Sequence, residues 1–404
     1  MKWGESALRM SAFDPVVRLR SITERHQLAG AGDECTGQRQ PIDRLEWCVG
    51  DAGDPSVLVE EFLAGYGLPV RDLTAPRAHR PDDPICGAAL LFSAAAGAHL
   101  VGAPSLAGPA PAVPDVVAVV YAHSGSIAAP APDATQPWER GAWRPSWSAT
   151  RHAAAISDVR DAIERGDVYQ VNVVGHASAP YRGDPLAALR RVAALPGARY
   201  GGLLTGDGWA VACASPETLV EVAGGRVVTR PIKGTRPATP AGRAQLLASP
   251  KERAEHVMIV DLERNDLAVI ARTGSVRVDE LYAIRRWCGL WQAESVVSAR
   301  LVPGVGLAAL LRAVCPGGSV TGAPKLAALH MIAAVEAVGR GPSMGALGWV
   351  GPDRVDLGLT IRTVAVDGKR VHVWAGGGIT WSSEPAGEVG EAAAKAAPLR
   401  AALG

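Results

Sequence analysis

Hydrophobic and polar positions change rhythm along the chain, and each rhythm predicts an element. In SATRHAAAISDVRDAIERGD, Ile156, Val159 and Ile163 recur at helical spacing and Gly166 supplies a stop. VYQVNVVGHAS then reads as a strand. TLVEVAGGRVVT predicts a hairpin turning at Gly224-Gly225, with Pro231 closing its second strand and Lys233 just past the strand end. SPKERAEHVMIVDLERNDLAVIAR (249–272) is helical in pattern, with Ala254, Val257, Met258, Asp261 and Leu262 on related faces. LTIRTVAVDGKRVHVWAGGGIT predicts a second hairpin, turning at Asp367-Gly368 and running into Gly376–Gly378, where the last helix begins. Hairpins mixed with helices, without a βαβ rhythm, predict an α+β fold with antiparallel sheets.

Composition narrows the class. The chain has 404 residues and is 48% hydrophobic, enough for a sizeable core in one large domain or two or three ordinary ones. ICGAALLFSAAAGAHLVGA (85–103) lacks Asp, Glu, Lys and Arg, yet it is mostly Ala and Gly and has no second copy. It reads as buried strands or a core helix, so no membrane association is expected. Residues 104–147 are rich in Pro and Ala around one strand-like run, VVAVVYAH. The part from 126 to 147 reads as a connector, dividing a region 1–147 from a more densely patterned region 148–404. Formal net charge is +1, with acids and bases mixed, which argues against nucleic acid as a partner. Six scattered cysteines without a close pair suit a reducing compartment. The N-terminus, MKWGESALRMSAFDPVV, has no secretory apolar core, so a cytoplasmic protein is expected.

Several residues could carry chemistry. Glu252 and Glu255 share one helix face, and Glu388 and Glu391 repeat that spacing on another helix. Four carboxylates without His or Cys suit a hard cation, Mg²⁺; either pair alone reads more readily as a solvated helix face. The amides of Gly376–Gly378 could hold an anion or merely form a tight turn. Arg362, charged within an apolar alternation, is either paired structurally or grips a carboxylate. Lys395 is one turn beyond Glu391 and could simply be its salt-bridge partner.

Lys233 in VVTRPIKGTRPATP stands between Arg230 and Arg236. It is either a surface lysine or an amine kept neutral by neighbouring cations and desolvation, as a lysine nucleophile must be. Glu217, in CASPETLV, could face the same cavity as a general acid or base.

From about residue 148 onward the chain resembles the chorismate-utilising enzymes, which include aminodeoxychorismate synthase component I, anthranilate synthase component I, and isochorismate and salicylate synthases. The resemblance rests on GDVYQVNVV, SPETLV, PIKGTRP, ERAEHVMIVDLERNDL, CPGGSVTGAPK, DLGLTIRT, AGGGIT and EPAGEVGEAAAK, in that order. It implies a sandwich-like core of antiparallel sheets flanked by helices, with chorismate as substrate and Mg²⁺ as cofactor. It also implies that Glu255 and Glu391 are the principal metal ligands, with Glu252 and Glu388 binding directly or through water. Gly234, Thr235, Arg362, Gly376, Gly377 and Lys395 would hold the carboxylates, Trp349 would line the pocket, and Glu217 would help the C4 hydroxyl leave. Gln292 stands where the family usually has His, and it cannot shuttle a proton at neutral pH. PIKGT, where anthranilate synthases usually read PIAGT, implies amination at C4 through covalent addition of Lys233. The ammonia would come from a glutamine amidotransferase partner, since the chain has no visible Cys-His-Glu motif of its own.

Overall fold

The computed structural model describes residues 38–78, 83–124, 137–287 and 290–404. The N-terminal stretch read for a targeting signal, Cys35, Cys288 and part of the connector fall outside these ranges. The first part of the chain supplies β1 (Gln38–Trp47), α1 (Pro55–Gly65), β2 (Ile85–Phe92), α2 (Ala94–Leu100) and β3 (Val116–Ser124). Next come β4 (Glu139–Arg140), β5 (Arg144–Pro145), α3 (Ala149–Glu164), β6 (Gln170–Arg182) and α4 (Leu186–Ala193). The strands β7 (Tyr200–Gly206), β8 (Trp209–Ser215), β9 (Thr218–Ala223), β10 (Arg226–Arg230) and β11 (Ile232–Pro237) lead to α5 (Pro240–Ala248) and α6 (Pro250–Ala268). Then follow β12 (Arg277–Trp287), β13 (Leu290–Arg300), α7 (Leu307–Val314), a 3₁₀ turn (Gly318–Val320), β14 (Gly322–Ala323) and α8 (Lys325–Val335). The chain closes with β15 (Ala346–Val350), β16 (Arg354–Leu359), β17 (Thr363–Val366), β18 (Arg370–Ile379) and α9 (Pro385–Ala402).

Two antiparallel sheets hold these strands. One runs β1-β3-β2-β15-β16-β9-β10-β13-β11, with β12 also on β13; the other runs β14-β6-β18-β17-β8-β7, with β4 and β5 on β6. Their inner faces share one apolar core, in which Leu90, Val220 and Leu357 of the first sheet join Val211, Cys213 and Trp374 of the second. Leu189 and Val192 of α4 and Ala396 and Leu399 of α9 cover the outer face of the second sheet. The result is the sandwich flanked by helices that the sequence implied. Strands from residues 38–124 pair into the first sheet, β2 against β15.

Local signals translate into local structure. Ser148 caps α3 by accepting from the Arg151 amide at 3.1 Å, and Gly166 follows its end at φ +82°. Gly224 and Gly225, at φ +55° and +68°, turn β9 into β10. The alanine-rich run 85–103 becomes β2 and α2, and no helix among the described residues is long and apolar enough to cross a membrane. Cys48, Cys213 and Cys315 are free thiols.

Three expectations change. The helix read over 249–272 forms as α6 but ends at Ala268, and Ser249 is not its first turn but its cap, accepting from the Glu252 amide where α5 ends. The buried face of α6 consists of His256, Ile259, Val260, Glu263 and Leu267, while Val257 is exposed. Two polar residues on that face blur its apolar period. Lys233 is not beyond a strand end; it lies in β11, opposite Ala293 of β13, with a register shift before Thr235 where Gly234 takes φ +76°. Gly376, Gly377 and Gly378 form no turn; they continue β18, opposite Val174, Val173 and Asn172 of β6.

Candidate active site

The glycines of β18 open a space that larger residues would fill. A Cβ on Gly378 would lie 2.7 Å from Gln170 Nε2 and 3.2 Å from Lys233 Nζ. One on Gly377 would lie 3.2 Å from Glu388 Oε2 and 3.6 Å from Lys395 Nζ. Lys395 donates to the Gly376 carbonyl at 2.9 Å and pairs with Glu391 at 2.8 Å. These glycines thus admit charged groups to the strand face, and the Gly376 carbonyl accepts from the Lys395 amine.

Lys233 and Glu217 meet through Ser319. The lysine amine lies 3.4 Å from the Ser319 carbonyl, and the Ser319 hydroxyl donates to Glu217 Oε1 at 2.7 Å. The Ile232 amide also points at Glu217 Oε1, at 3.5 Å. Burial holds the Lys233 amine below the ordinary lysine value; Glu217, Glu255 and Glu391 oppose the shift and Lys395 adds to it. Burial also raises Glu217 above the ordinary carboxylate value, against the Ser319 hydrogen bond, Lys233 and Arg362. The depression of Lys233 therefore does not come from Arg230 and Arg236. Arg236 pairs with Glu252 at 3.0 Å, and Arg230 Nε is buried without a partner. Desolvation, with Lys395 second, replaces the arginine pair as the cause.

The four glutamates are held at several points around this space. Glu255 accepts from Thr380 Oγ1 at 3.0 Å, Glu388 from Ser383 Oγ at 2.7 Å, and Glu252 packs beside Gly234. No group of three or more His, Cys, Asp or Glu among the described residues converges as a ready cation site. The donor set itself, carboxylate oxygens from α6 and α9, has the chemistry of a hard-cation site.

Gln292 lies on β13 opposite Thr235, buried, with its Oε1 lacking a hydrogen-bond partner. Arg362 takes φ +51° between β16 and β17, a left-handed conformation costly for a side-chain residue and common at ligand sites. Trp349 is not brought to the cluster. Its ring packs at 5.7 Å from Tyr121 with Arg39 at 4.5 Å, and Gly87 leaves room for it.

Three neutral or hidden groups escaped the sequence reading. Ser319 bridges the lysine and the acid; Gln170 is fully buried with both amide atoms unpartnered. Glu263 is buried beneath the 3₁₀ turn, where a Cβ on Gly318 would come within 3.1 Å of its Oε1. The glutamine within GDVYQVNVV was available as a signal, because a polar residue inside an apolar strand needs a partner.

Comparison with known proteins fits this geometry. Residues 107–401 match the chorismate binding enzyme family, and the chain belongs to it. It is 33% identical over 386 residues to aminodeoxychorismate synthase component 1 of Klebsiella aerogenes, covering 88% of this chain and 84% of that protein. Against anthranilate synthase component 1 of Streptomyces coelicolor identity is 37% over 286 residues, 69% of this chain and 55% of that protein. The fold superimposes on anthranilate synthase component I from Streptococcus pneumoniae with a TM-score of 0.75 at 23% identity, covering 98% and 95% of the two chains. The protein is a chorismate-utilising enzyme.

Proposed function

We propose that the enzyme aminates chorismate at C4, giving 4-amino-4-deoxychorismate, a precursor of p-aminobenzoate and folate. The supporting observation is the pair in which half-buried Lys233, held toward its neutral form, shares Ser319 with buried Glu217, held toward its protonated form. A neutral amine can attack, and a protonated carboxyl can release a hydroxyl as water.

In this reading the Lys233 amine bonds to C2 and both conjugated ring double bonds shift as the C4–O bond breaks. Glu217 supplies the proton with which the hydroxyl leaves as water. Ammonia then bonds to C4, both double bonds shift back, the C2–N bond breaks to return the lysine as a neutral amine, and the proton given up by the new C4 ammonium returns to Glu217. The sum is chorismate plus ammonia giving aminodeoxychorismate plus water. Arg362 and Lys395 would face the two carboxylates of the substrate, and among the described residues the Gln170 amide and Gln292 Oε1 have no hydrogen-bond partner. Ammonia from a glutaminase partner belongs to the same proposal, as does a cytoplasmic setting.

Mg²⁺ would be held by Glu255 and Glu391, with Glu252 and Glu388 alongside, exchanging contacts such as Glu391–Lys395 and Glu255–Thr380 for the ion. Bound there, the ion would neutralise carboxylate charge on the substrate. Glu255→Gln and Glu391→Gln should each weaken Mg²⁺ activation by about tenfold or more while leaving the thermal midpoint near wild type. Unchanged Mg²⁺ titrations of turnover in both variants would remove these residues from the metal site.

The decisive experiment incubates the purified chain with chorismate, Mg²⁺ and an ammonium salt and identifies the product by mass. Aminodeoxychorismate is expected. Anthranilate with pyruvate, the outcome the resemblance to the Streptomyces coelicolor protein favours, would replace this reading, and the absence of any product would refute both.

A further inference from the structure

A cavity of about 200 Å³ lies on the outer face of the second sheet, between β6, β18, α9 and the start of α3. We propose that it is a second ligand site, separate from the substrate space, taking a small aromatic carboxylate.

Its walls include Val373 and Ala375 of β18 and Val389, Ala392, Ala393 and Ala396 of α9. Trp147 and His152 stack there with ring centroids 4.6 Å apart. Gly175 leaves them room, since a Cβ would lie 3.3 Å from His152 Cε1 and 3.4 Å from Trp147 Nε1. A cavity of about 150 Å³ lined by apolar groups suffices for benzene, so a substituted ring fits by size.

The polar groups ask for an anion. His176 is already engaged, with Ser146 Oγ at 2.6 Å and His372 Nδ1 at 3.1 Å. His152 is not: it is only 6% exposed, lines the cavity, and no described residue hydrogen-bonds its ring. Arg400 enters from α9 with its Nε buried and unpartnered. Arg140 shares the Trp143 ring with Arg400, their guanidinium carbons 5.4 and 5.2 Å from its centroid, and Arg140 Nε is likewise buried without a partner. No described acid forms an ion pair with either arginine. Arg400, which lines the cavity together with Ser148 and Ala149 at the positive end of the 16-residue helix α3 and shares its ring with a like charge, is stabilised by a bound carboxylate. The same helix α9 turns Glu388, Glu391 and Lys395 toward Gly376 and Gly377, so the two spaces lie on different faces of it.

Calorimetric titration with benzoate tests this. Wild type should bind benzoate at millimolar concentration, more tightly than acetate or benzyl alcohol, each of which lacks one of the two recognised features. Arg400→Met keeps the stem and removes the charge, and should weaken binding about tenfold or more. Ala393→Phe, at an exposed position on the cavity wall, should block the space with the fold intact and serves if the arginine variant does not fold. Arg362→Ala, in the substrate space, should leave benzoate binding in place. The proposal fails if benzoate does not bind at millimolar concentration, or binds unchanged in both cavity variants. It fails also if only Arg362→Ala abolishes binding, or if acetate binds as tightly as benzoate.

Discussion

Two buried charge clusters share the 3₁₀ turn Gly318–Val320 and the strand β6, and they are built oppositely. In one, Arg340 donates to Glu336, to the Val320 carbonyl and to the Asn172 carbonyl, and the Val174 amide donates to Glu336 at 2.9 Å. Both ions of this pair are nearly closed to solvent and well supplied with partners. In the other, among the described residues, Lys233 makes a single long hydrogen bond, to the Ser319 carbonyl, and the Gln170 amide makes none. Neighbouring residues of the turn and of β6 thus serve both: Val320 and Asn172 complete the first cluster, Ser319 and Gln170 border the second. A saturated cluster fixes geometry, whereas an unsaturated one keeps hydrogen-bonding capacity for a ligand. Variants on either side should therefore fail differently.

The largest effect is expected at Lys233. Lys233→Ala removes the nucleophile and should lower C4 amination by about 10³-fold or more, with little change in thermal midpoint. Direct attack by ammonia at C2 becomes open, so aminodeoxyisochorismate or anthranilate should appear by mass spectrometry. Full C4 product at the wild-type rate would leave the lysine a purely electrostatic role.

On the saturated side, Arg340→Met leaves Glu336 buried without its counter-ion and should cost about 3–5 kcal/mol in urea unfolding. Turnover per folded molecule should change far less than in Lys233→Ala. Lost turnover at undiminished stability would move Arg340 into the reactive cluster and dissolve the contrast.

Only the reactive side of this contrast was legible before the fold was known; Arg340 and Glu336 were not singled out, and the omissions have physical causes. Lys233, Glu217 and the four glutamates stand out because charge is conspicuous in an apolar chain. Hairpins were legible where Gly224-Gly225 and Asp367-Gly368 supply left-handed turns, since turn chemistry is local. The glycine run of β18 was misread as a turn because its purpose, room for Glu388, Lys395 and Gln170, is set by residues distant in sequence. Ser319 and Gln170 carry no charge and no period, so nothing local marks them. The join between β2 and β15 depends on pairing across more than half the chain, which periodicity cannot encode.

A smaller effect is expected where geometry alone is disturbed. Gly378→Ala would press a methyl against the Gln170 amide and the lysine amine, within a strand whose φ is ordinary. Turnover should fall by about 10- to 100-fold, mostly in kcat, because a small misplacement of reacting groups is costly. An unaltered kcat would show that Gln170 and Lys233 can move aside, and that the unsaturated cluster is not held in position.

The smallest effect concerns a third way of burying charge, which is to neutralise it. Glu263 is pushed up to about 8, first by burial and then by Asp266, against Lys325, with Glu217 adding and Thr229 opposing. A carboxyl raised above its unfolded value binds its proton more tightly when folded. Its stabilising contribution is therefore complete below the unfolded value of 4.5 and is lost as pH rises through about 8. Glu263→Gln keeps the size and a neutral partner for Thr229 Oγ1 but cannot ionise. Urea unfolding at pH 6 and pH 8.5 should show the wild type losing about 2–3 kcal/mol more than the variant over that interval. Glu217, Asp266 and Glu336 are raised as well, so both proteins should weaken with pH, and only the difference reports on Glu263. Parallel pH profiles would mean that Glu263 is already ionised at pH 6. The Lys325–Asp266 pair, at 2.6 Å, would then have to serve it as counter-charge, and the site would hold a second charged cluster behind Glu217 rather than a neutral one.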